Sequence, residues 1–378
     1  MQDINQLPSA NRTWLQKLIA RGFAQPADMS QNIVLLREDE DRPASSGRQK
    51  IAVFLPTMIS RFAAEEAQEF LNVLSREILF AVQEQAVDLH LFIAMQHHGE
   101  SDTNGRAALE AILETLSKAF VGYGERIGVI ALLLLGPGKV VSINAMTALA
   151  LNRKIEAVLL IDDDVDFSEK CFSHLIRVYL ASSSPVAIGA RKIGQPFATS
   201  PSLILSKLKG FTQPAENYPH ACCMIVSIEV IAPNIPLVYS SDDGYICFRL
   251  LRPNSAMPLE RLQLIDDAYC YHWVGGRNVS EISSRLRRML LHHHLFLSHI
   301  DPASARYYLS QLLFFGMWPW VSLDVTKGWR LGIIKCLLKY AYAIWFGKIG
   351  AELIVRGLGN RPLDQIKWGG LESTQSAA

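Results

Sequence analysis

The sequence lacks an excess of charge of either sign. Lys and Arg number 37 and Asp and Glu number 36 among 378 residues, for a formal net charge of +1. Without a strong basic field, nothing in the charge balance indicates a nucleic acid as partner. Charged residues are 19% and hydrophobic residues 49% of the chain, which excludes wholesale disorder and allows a packed core. This length suits one large domain or two ordinary ones.

Cysteine is scarce, and the sequence shows no pattern typical of a signal peptide or of a membrane-spanning helix. The six cysteines form no Cys-x-x-Cys pair; Cys222 and Cys223 are adjacent, and the others are scattered in apolar stretches. This usage is typical of core residues in a reducing compartment. No uncharged run reaches the ~20 residues of a membrane-spanning helix, and the first residues do not resemble a signal peptide. We therefore expect a cytoplasmic protein.

Short apolar runs alternate with segments of helical periodicity between residues 50 and 193. The runs, each predicted to be a strand, are KIAVFLPT, VDLHLFIAM, RIGVIALLLL, EAVLLI and PVAIGARKI. The last helix of the series is predicted at FSEKCFSHLIRVYLAS. This alternation predicts an α/β fold with a mostly parallel sheet flanked by helices. The nearly continuous apolar strands predict a sheet that is covered on both faces.

Changes in composition divide the chain into three regions. Residues 1–49 are predicted to be an N-terminal extension that includes a charged linker, REDEDRPASSGRQK. Residues 50–295 form the predicted α/β domain, and residues 296–378 a mainly helical C-terminal region. The stretch that begins after residue 192, GQPFATSPSLILSKLKGFTQPAENYPH, is rich in loop-forming residues and is expected to be either a mobile segment or one that faces a substrate.

Three adjacent aspartates end the predicted strand in AVLLIDDDVDF. Because strand side chains alternate, Asp162 and Asp164 are expected on one side and Asp163 on the other. Ligands of open α/β sheets bind beyond the carboxyl ends of strands, and two converging carboxylates suit Mg²⁺ or Mn²⁺. Such a cation would also compensate the repulsion between neighbouring carboxylates. The alternative is a solvated acidic turn that caps the next helix at Ser168.

Two further features offer proton-carrying groups. Asp242 and Asp243 precede a helical pattern in SDDGYICFRLL. They can be carboxylates that stabilise a helix N-terminus, or they can supply a rigidly held general base. His272 lies in the predicted strand AYCYHW, before two glycines, and can be a core residue, a metal ligand or a general acid or base. These alternatives stay open on the pattern alone.

The stretch LLLLGPGKVVSINA is similar to a phosphate-binding P-loop in its glycines and lysine. A P-loop requires Ser or Thr after the lysine, whereas Val140 follows Lys139, so a P-loop ATPase is disfavoured. A lysine at a helix start that follows a strand can still attract a diphosphate.

The order of these motifs resembles the family 2 glycosyltransferases of GT-A fold. The matching stretches are AVFLPT followed by an arginine, GPGKVVSINAM, VLLIDDDVDFSEKCFSHLI, SDDGYICFRL and CYHW, over roughly residues 50–295. The resemblance is closest to galactofuranosyltransferase and rhamnosyltransferase-like members. It implies a GT-A (Rossmann-like) fold and metal-dependent, inverting transfer of a sugar from a nucleotide-diphosphate donor, a UDP- or dTDP-sugar. The implied acceptor is a saccharide or a lipid-linked saccharide in cell-surface glycan synthesis.

The same resemblance assigns roles to individual residues. Asp162, Asp164 and His272 would hold Mn²⁺ or Mg²⁺. Asp243 would be the catalytic base, with Asp242 as its neighbour. The resemblance places six residues at the donor: Thr57, Arg61, Lys139, Asn144, Asp163 and Arg277.

One position departs from the family pattern. After the second strand, many relatives carry an acidic residue that reads the uracil or thymine edge. This sequence has His97 and His98 at that place, and Asp102 is the nearby residue that could substitute. Recognition of the base is therefore expected to differ from that of these relatives.

The C-terminal region is basic and aromatic. Arg277, Arg285 and Arg288 belong either to a solvated helix face or to a site that contacts a diphosphate or lipid phosphate. Three successive histidines, 292–294, cannot share one helix face and predict a polar surface. The stretch GWRLGIIKCLLKYAYAIWFGKIG combines an apolar stripe with two lysines one turn apart. It suits either a helix in the membrane interface, which would give peripheral contact at the inner face of the cell membrane, or a helix packed on the catalytic domain.

Two other functions compete with sugar transfer. A nucleotidylyltransferase on a similar sheet would have a Gly-rich loop with a basic residue after the first strand, and FLPTMISRF has no such loop. A non-catalytic binding or scaffold protein of the same fold would be favoured if the acidic residues did not converge in space.

Overall fold

The computed structural model describes residues 33–39, 48–97, 103–135, 138–182, 185–196, 219–232, 234–235, 242–274 and 302–307, and the single positions 344, 348 and 351. Several predicted features lie outside the described residues. They are Arg277, Arg285 and Arg288, His98, Asp102, the three successive histidines, most of the loop-rich stretch after residue 192, and nearly all of the predicted membrane-interface helix.

The described part of the chain contains nine strands and seven α-helices. The strands are β1 (Ile33–Glu38), β2 (Gln49–Thr57), β3 (Val87–His97), β4 (Ile127–Leu135), β5 (Ala157–Ile161), β6 (Val165–Phe167), β7 (Ala187–Pro196), β8 (Cys223–Ser227) and β9 (Leu262–Val274). The helices are α1 (Ala64–Glu84), α2 (Thr103–Ala119), α3 (Lys139–Asn152), α4 (Cys171–Leu180), α5 (Ile228–Ile231), α6 (Asp242–Leu250) and α7 (Pro302–Tyr307).

The strands form one mixed sheet in the order β1-β4-β3-β2-β5-β8-β7-β9-β6. Strands β4, β3, β2 and β5 are parallel neighbours, and β8 pairs antiparallel with both β5 and β7. Strand β9 is parallel to β7, while the two edge strands, β1 and β6, are antiparallel to their neighbours. Six of the nine described strands therefore run in one direction, which confirms the predicted mostly parallel α/β sheet.

Helices cover both faces of the sheet, as the apolar strands predict. Along β2, Ala52 and Phe54 belong to the core beneath α3, and Val53 belongs to the core beneath α1, α2 and α4. The Phe54 ring meets Phe92 of β3 edge-to-face, with ring centroids 5.3 Å apart. Because both faces are dry, the strands are held rigidly, and their carboxyl ends form a fixed edge for a site.

Three strands differ from the expectations of the sequence. Strand β1 lies within the predicted N-terminal extension, yet it adds an edge to the sheet beside β4. Strand β8 was not anticipated by the alternation, because it enters the sheet antiparallel and without a crossover helix of its own. Phe167, predicted to begin a helix, is in strand β6 and pairs with Cys270 of β9, so the helix α4 begins only at Cys171.

A side chain of α1 stabilises the start of α4. The backbone N–H groups of Lys170 and Phe172 donate to the two carboxylate oxygens of Glu77, at 3.0 and 3.3 Å. Glu77 is completely buried, and this burial raises its pKa, although the two backbone donors oppose the rise. The contact fixes α4 to α1 and so holds the chain that follows the three aspartates.

We predict that Glu77→Ala lowers the free energy of unfolding by about 2 to 4 kcal/mol, because two backbone donors lose their acceptor. Denaturant titration followed by circular dichroism measures the effect. Glu69→Ala, at an exposed position of the same helix, is the control and should leave the unfolding free energy nearly unchanged. Equal effects of the two substitutions would contradict this role of Glu77.

Candidate functional site

The acidic motifs of the sequence meet at the C-terminal ends of the parallel strands, which are called the carboxyl edge of the sheet below. The turn with Asp162, Asp163 and Asp164 directly follows β5, and Thr57 ends the neighbouring strand β2. Lys139 begins α3 after β4. These residues come from distant parts of the chain and meet because parallel strands end at the same edge.

Lys139 forms an ion bridge between two of these motifs. Its Nζ atom lies 2.6 Å from Asp162 Oδ1 and 3.1 Å from Asp242 Oδ2, at the start of α6. The side chains of Lys139 and Asp242 are only 14% and 4% exposed, so water screens the contact weakly. Burial opposes the charged form of Lys139, but the two carboxylates outweigh it and raise its pKa well above the ordinary value. The Lys139 side chain is therefore fully protonated at neutral pH.

Asp242 depends on this bridge. Its Oδ2 atom is buried and forms no hydrogen bond with any described residue, so Lys139 is its ionic partner there. Burial raises the pKa of Asp242, Lys139 opposes the rise, and the charge of Asp243 adds to it. One ammonium group thus compensates two carboxylates, Asp162 and Asp242, at the point where the two acidic motifs meet.

Asp163 holds the end of β2. Its Oδ2 atom accepts hydrogen bonds from Thr57 Oγ1 at 2.7 Å and from the backbone N–H of Met58 at 2.8 Å. Thr57 Oγ1 in turn accepts from the N–H of Ile59 at 2.9 Å. Thr57 and Asp163, both predicted at the donor, are therefore adjacent, and Asp163 contacts partners different from those of Asp162. Their contact with a donor stays a prediction.

No comparable hydrogen bonds join Asp164 to the other residues that the structure describes. Its side chain reaches the surface, yet the surrounding protein withdraws enough hydration to raise its pKa to about 7, and the charges of Asp162 and Asp163 add to this shift. Lys192 and Lys139 oppose it. A carboxyl group in this setting is half protonated near neutral pH, and a bound cation would favour its ionised form.

Asp243, the predicted base, is positioned by its own helix and by a histidine. Its Oδ1 atom accepts from the N–H of Gly244 at 2.7 Å, and its Oδ2 atom lies 3.2 Å from His220 Nδ1. The helix α6 begins at Asp242, so the role at a helix N-terminus and the role as a base coexist. His220 was not predicted as a site residue, because no sequence motif connects it with a helix that begins 22 residues further along the chain.

His272 lies beside the aspartate turn. It pairs with Val165, the first residue of β6, and its Nδ1 atom lies 3.1 Å from the carbonyl oxygen of Ile193. A neutral imidazole that donates from Nδ1 to a carbonyl carries its lone pair on Nε2, which is the form that ligates metals. His272 is therefore placed on a strand and oriented by a backbone group.

Asn144 and Arg61, both predicted at the donor, lie in helix α3 and just after strand β2. The Asn144 side chain donates to the carbonyl of Ile235 at 2.8 Å and accepts from its N–H at 2.9 Å. This amide is therefore occupied by backbone, and it holds the segment that precedes α6. Arg61 ends a short 3₁₀ helix (Ile59–Arg61) just beyond β2. That either residue contacts a donor stays a prediction.

The residues present fit a hard divalent cation, although their grouping as ligands stays a prediction. In the ranges that the structure describes, no three Asp, Glu, His or Cys side chains are grouped closely enough to hold a metal ion. Asp162 is directed at Lys139, whereas the predicted ligand set is Asp162, Asp164 and His272. Two carboxylates and an imidazole suit Mn²⁺ or Mg²⁺, and after burial the charges of Asp162 and Asp163 add to the raised pKa of Asp164.

A cavity of about 420 Å³ lies elsewhere, at the opposite edge of the sheet, near the amino ends of β3 and β4. Charged side chains line it, among them Asp88, which lies 3.3 Å from Arg48 and 3.8 Å from Arg126. Its charges thus compensate one another, and it is remote from the aspartates. We therefore place the site at the carboxyl edge.

Comparison with known proteins gives structural similarities at low sequence identity. No family model and no curated protein sequence matches the chain. A mannosyltransferase from Pyrobaculum calidifontis, in complex with GDP-Man and Mn²⁺, is 14% identical over 90% of this chain and 93% of that chain, with a TM-score of 0.46. Glucosyl-3-phosphoglycerate synthase from Mycobacterium tuberculosis, in complex with UDP, is 16% identical over 68% and 83%, with a TM-score of 0.36. A mycobacterial protein is 14% identical over 68% and 77%, also with a TM-score of 0.36. Similarities of this extent do not show what activity this chain has.

We predict that Lys139→Met lowers the free energy of unfolding by about 3 to 5 kcal/mol at pH 8, because Asp242 becomes a buried charge without a partner. Loss of Lys139 raises the pKa of Asp242 further, so the folded state takes up a proton that the unfolded state lacks. Stability then falls as pH rises, and the deficit relative to wild type is larger at pH 8 than at pH 5.

Denaturant titration of both proteins at the two pH values measures this effect. Lys118→Met is the matched control, since Lys118 pairs with Glu114 on an exposed helix face and its loss should change little. The double variant Lys139→Met/Asp242→Asn should recover part of the loss at pH 8. A deficit that is independent of pH would contradict the ion bridge.

Proposed function

We propose that the protein is a metal-dependent, inverting glycosyltransferase of the family 2, GT-A type. It moves a sugar from a nucleotide-diphosphate donor, a UDP- or dTDP-sugar, to a saccharide or lipid-linked saccharide acceptor. The observation that carries the proposal is the Lys139 bridge, which joins the aspartate turn to the Asp242–Asp243 helix start. Motifs that resemble this family in order also meet in space, and this convergence is the opposite of what the scaffold alternative requires.

The base is Asp243. An acceptor hydroxyl is a poor nucleophile and must lose its proton as it attacks the sugar. The backbone N–H of Gly244 fixes one carboxylate oxygen of Asp243, and His220 lies beside the other oxygen. We propose that His220 orients this carboxylate. With a single base and in-line displacement of the nucleotide, the configuration of the sugar carbon is inverted.

The leaving side of the reaction is formed by the aspartate turn. Asp162, Asp164 and His272 would hold Mn²⁺ or Mg²⁺, and the cation would supply neutralisation of the charge that develops on the diphosphate. The Lys139 ammonium group adds a further positive charge beside the aspartate turn. Asp163 holds the end of β2 through Thr57, and Asn144 holds the approach to α6. On the family resemblance, we assign these residues to the walls of the donor pocket. We place Arg61 and Arg277 at the donor on the family resemblance.

The acceptor and the location in the cell follow the same resemblance. We propose a cytoplasmic enzyme of cell-surface glycan synthesis, with peripheral contact at the inner face of the membrane through its C-terminal region. In the part of the chain that the structure describes, no helix is both long enough and apolar enough to cross a membrane.

The test is transfer by wild type and by Asp243→Asn. Purified protein with Mn²⁺ is given UDP- and dTDP-sugars and saccharide or lipid-linked acceptors, and release of the nucleoside diphosphate is measured. We expect Asp243→Asn to reduce transfer by about 10²- to 10⁴-fold, because proton removal is lost, and to retain nucleotide binding.

Asp267→Asn is the control, because Asp267 is an exposed aspartate of β9 that pairs with Arg177. It should leave transfer nearly unchanged. Near wild-type turnover of Asp243→Asn would refute the assignment of the base. Absence of transfer by wild type with every donor would refute the proposed function.

A further inference from the structure

Four buried cysteines lie in two sulfur–sulfur contacts beneath the site. Cys222 Sγ is 3.5 Å from Cys270 Sγ, and Cys171 Sγ is 3.6 Å from Cys223 Sγ. All are free thiols. The buried, unpaired state agrees with the expectation from the sequence, but the contacts do not follow from it, because partners are about 50 residues apart.

The arrangement indicates pairs of thiols rather than a metal centre. Cys222 and Cys223 are neighbours in the chain, yet each contacts a different partner. Over the residues that the structure describes, which include all four cysteines, no cluster of potential ligands could hold a metal ion. Two adjacent thiols without a metal can undergo two-electron oxidation to a disulfide.

The Cys222–Cys270 pair is connected with three parts of the candidate site, by one hydrogen bond and by two short separations along the chain. The carbonyl of Cys222 accepts a hydrogen bond from the N–H of Asp162 at 3.3 Å. Cys222 follows His220, the partner of Asp243, by two residues, and Cys270 precedes His272 by two residues on β9. The contact therefore connects the backbone of the aspartate turn, the proposed base and the proposed metal-binding histidine.

We propose that Cys222 and Cys270 form a reversible disulfide with hydrogen peroxide, and that this bond switches off the site. The Cys222 thiol attacks one oxygen of the peroxide, which yields a sulfenic acid and one water molecule. The Cys270 thiol then attacks the sulfenic sulfur, which forms the S–S bond and releases a second water. Two electrons pass from the thiols to the peroxide, and a dithiol reductant reverses the reaction.

The geometry explains why oxidation would affect the site. A disulfide has a sulfur–sulfur distance of about 2.05 Å, so the sulfurs must approach from their 3.5 Å contact. We infer that closing this gap shifts the backbone at Cys222 and Cys270, and with it His220 and His272, each two residues away in the chain. The effect on activity rests on the proposed function, whereas formation of the bond does not.

The other pair serves as an internal comparison. Cys171 and Cys223 are completely buried, as is Cys270, whereas Cys222 retains 4% exposure. The first attack on peroxide therefore takes place at Cys222. The Cys171–Cys223 contact joins the start of α4 to β8, and Cys223 also donates its backbone N–H to the carbonyl of His220 at 3.2 Å.

The experiment maps the bond in the intact, full-length protein. Folded protein is treated with graded hydrogen peroxide, remaining thiols are alkylated, and peptides are analysed by mass spectrometry before and after dithiothreitol. We expect a Cys222–Cys270 linked peptide two hydrogens lighter than the two reduced peptides together, lost on reduction. The link should persist in Cys171→Ser and be absent in Cys270→Ser and Cys270→Ala.

Transfer is measured on the same samples. We expect oxidation to reduce it by about 100-fold, the loss that a displacement of 1 Å in an active site can cause, in wild type and Cys171→Ser but not in Cys270→Ser. Failure to detect the Cys222–Cys270 link in folded wild type, or a link only between Cys171 and Cys223, would overturn the site. A link without loss of transfer would overturn the switch. A link in a protein that never transfers sugar would leave the disulfide site standing and refute the proposed function instead.

Discussion

The structure of this edge of the sheet depends on one buried ammonium group. Lys139 comes from the helix after β4, Asp162 from the turn after β5, and Asp242 from the start of α6, more than 100 residues away from Lys139. Removing three charged groups from water is unfavourable unless they compensate one another. The chain can therefore bury Asp242 only when all three segments are in place, which makes the ion bridge a condition for the geometry of the whole site.

The bridge also divides the aspartates by role. Asp162 and Asp242 share Lys139, and Asp163 accepts two hydrogen bonds at Oδ2, from Thr57 and Met58. Burial raises the pKa of Asp164 to about 7, with a further contribution from the charges of Asp162 and Asp163, and Asp243 lies beside His220. In the proposed enzyme this division separates the leaving side, at the turn, from the attacking side, at α6. A divalent cation and Lys139 would share Asp162, so that donor binding and the packing of α6 would be coupled.

Features set by local pattern were predictable from the sequence, and features set by pairing at a distance were not. The alternation of apolar and helical segments predicted β2 to β5 and their helices, because a strand buried on both faces has a recognisable run of apolar residues. Strands β1, β6 and β8 were missed, since their pairing partners lie far away in the chain and β6 is only three residues long. The family resemblance predicted that Lys139 and the two acidic motifs belong to one site. It did not predict the bridge itself, the contact of Asp243 with His220 or the thiol pairs, because each requires the tertiary structure.

The central claim is that the aspartate turn and the start of α6 form one metal-dependent nucleotide site. The most direct measurement is a thermal-shift panel of UDP, dTDP, GDP and CDP, each with and without Mn²⁺, on wild type and Asp164→Ala. We expect UDP or dTDP to raise the melting temperature of wild type only with Mn²⁺, because a ligand that binds the folded state stabilises it. The shift should be lost in Asp164→Ala. A shift that is equal without the metal, or equal in the variant, or absent with every nucleotide, would contradict the account.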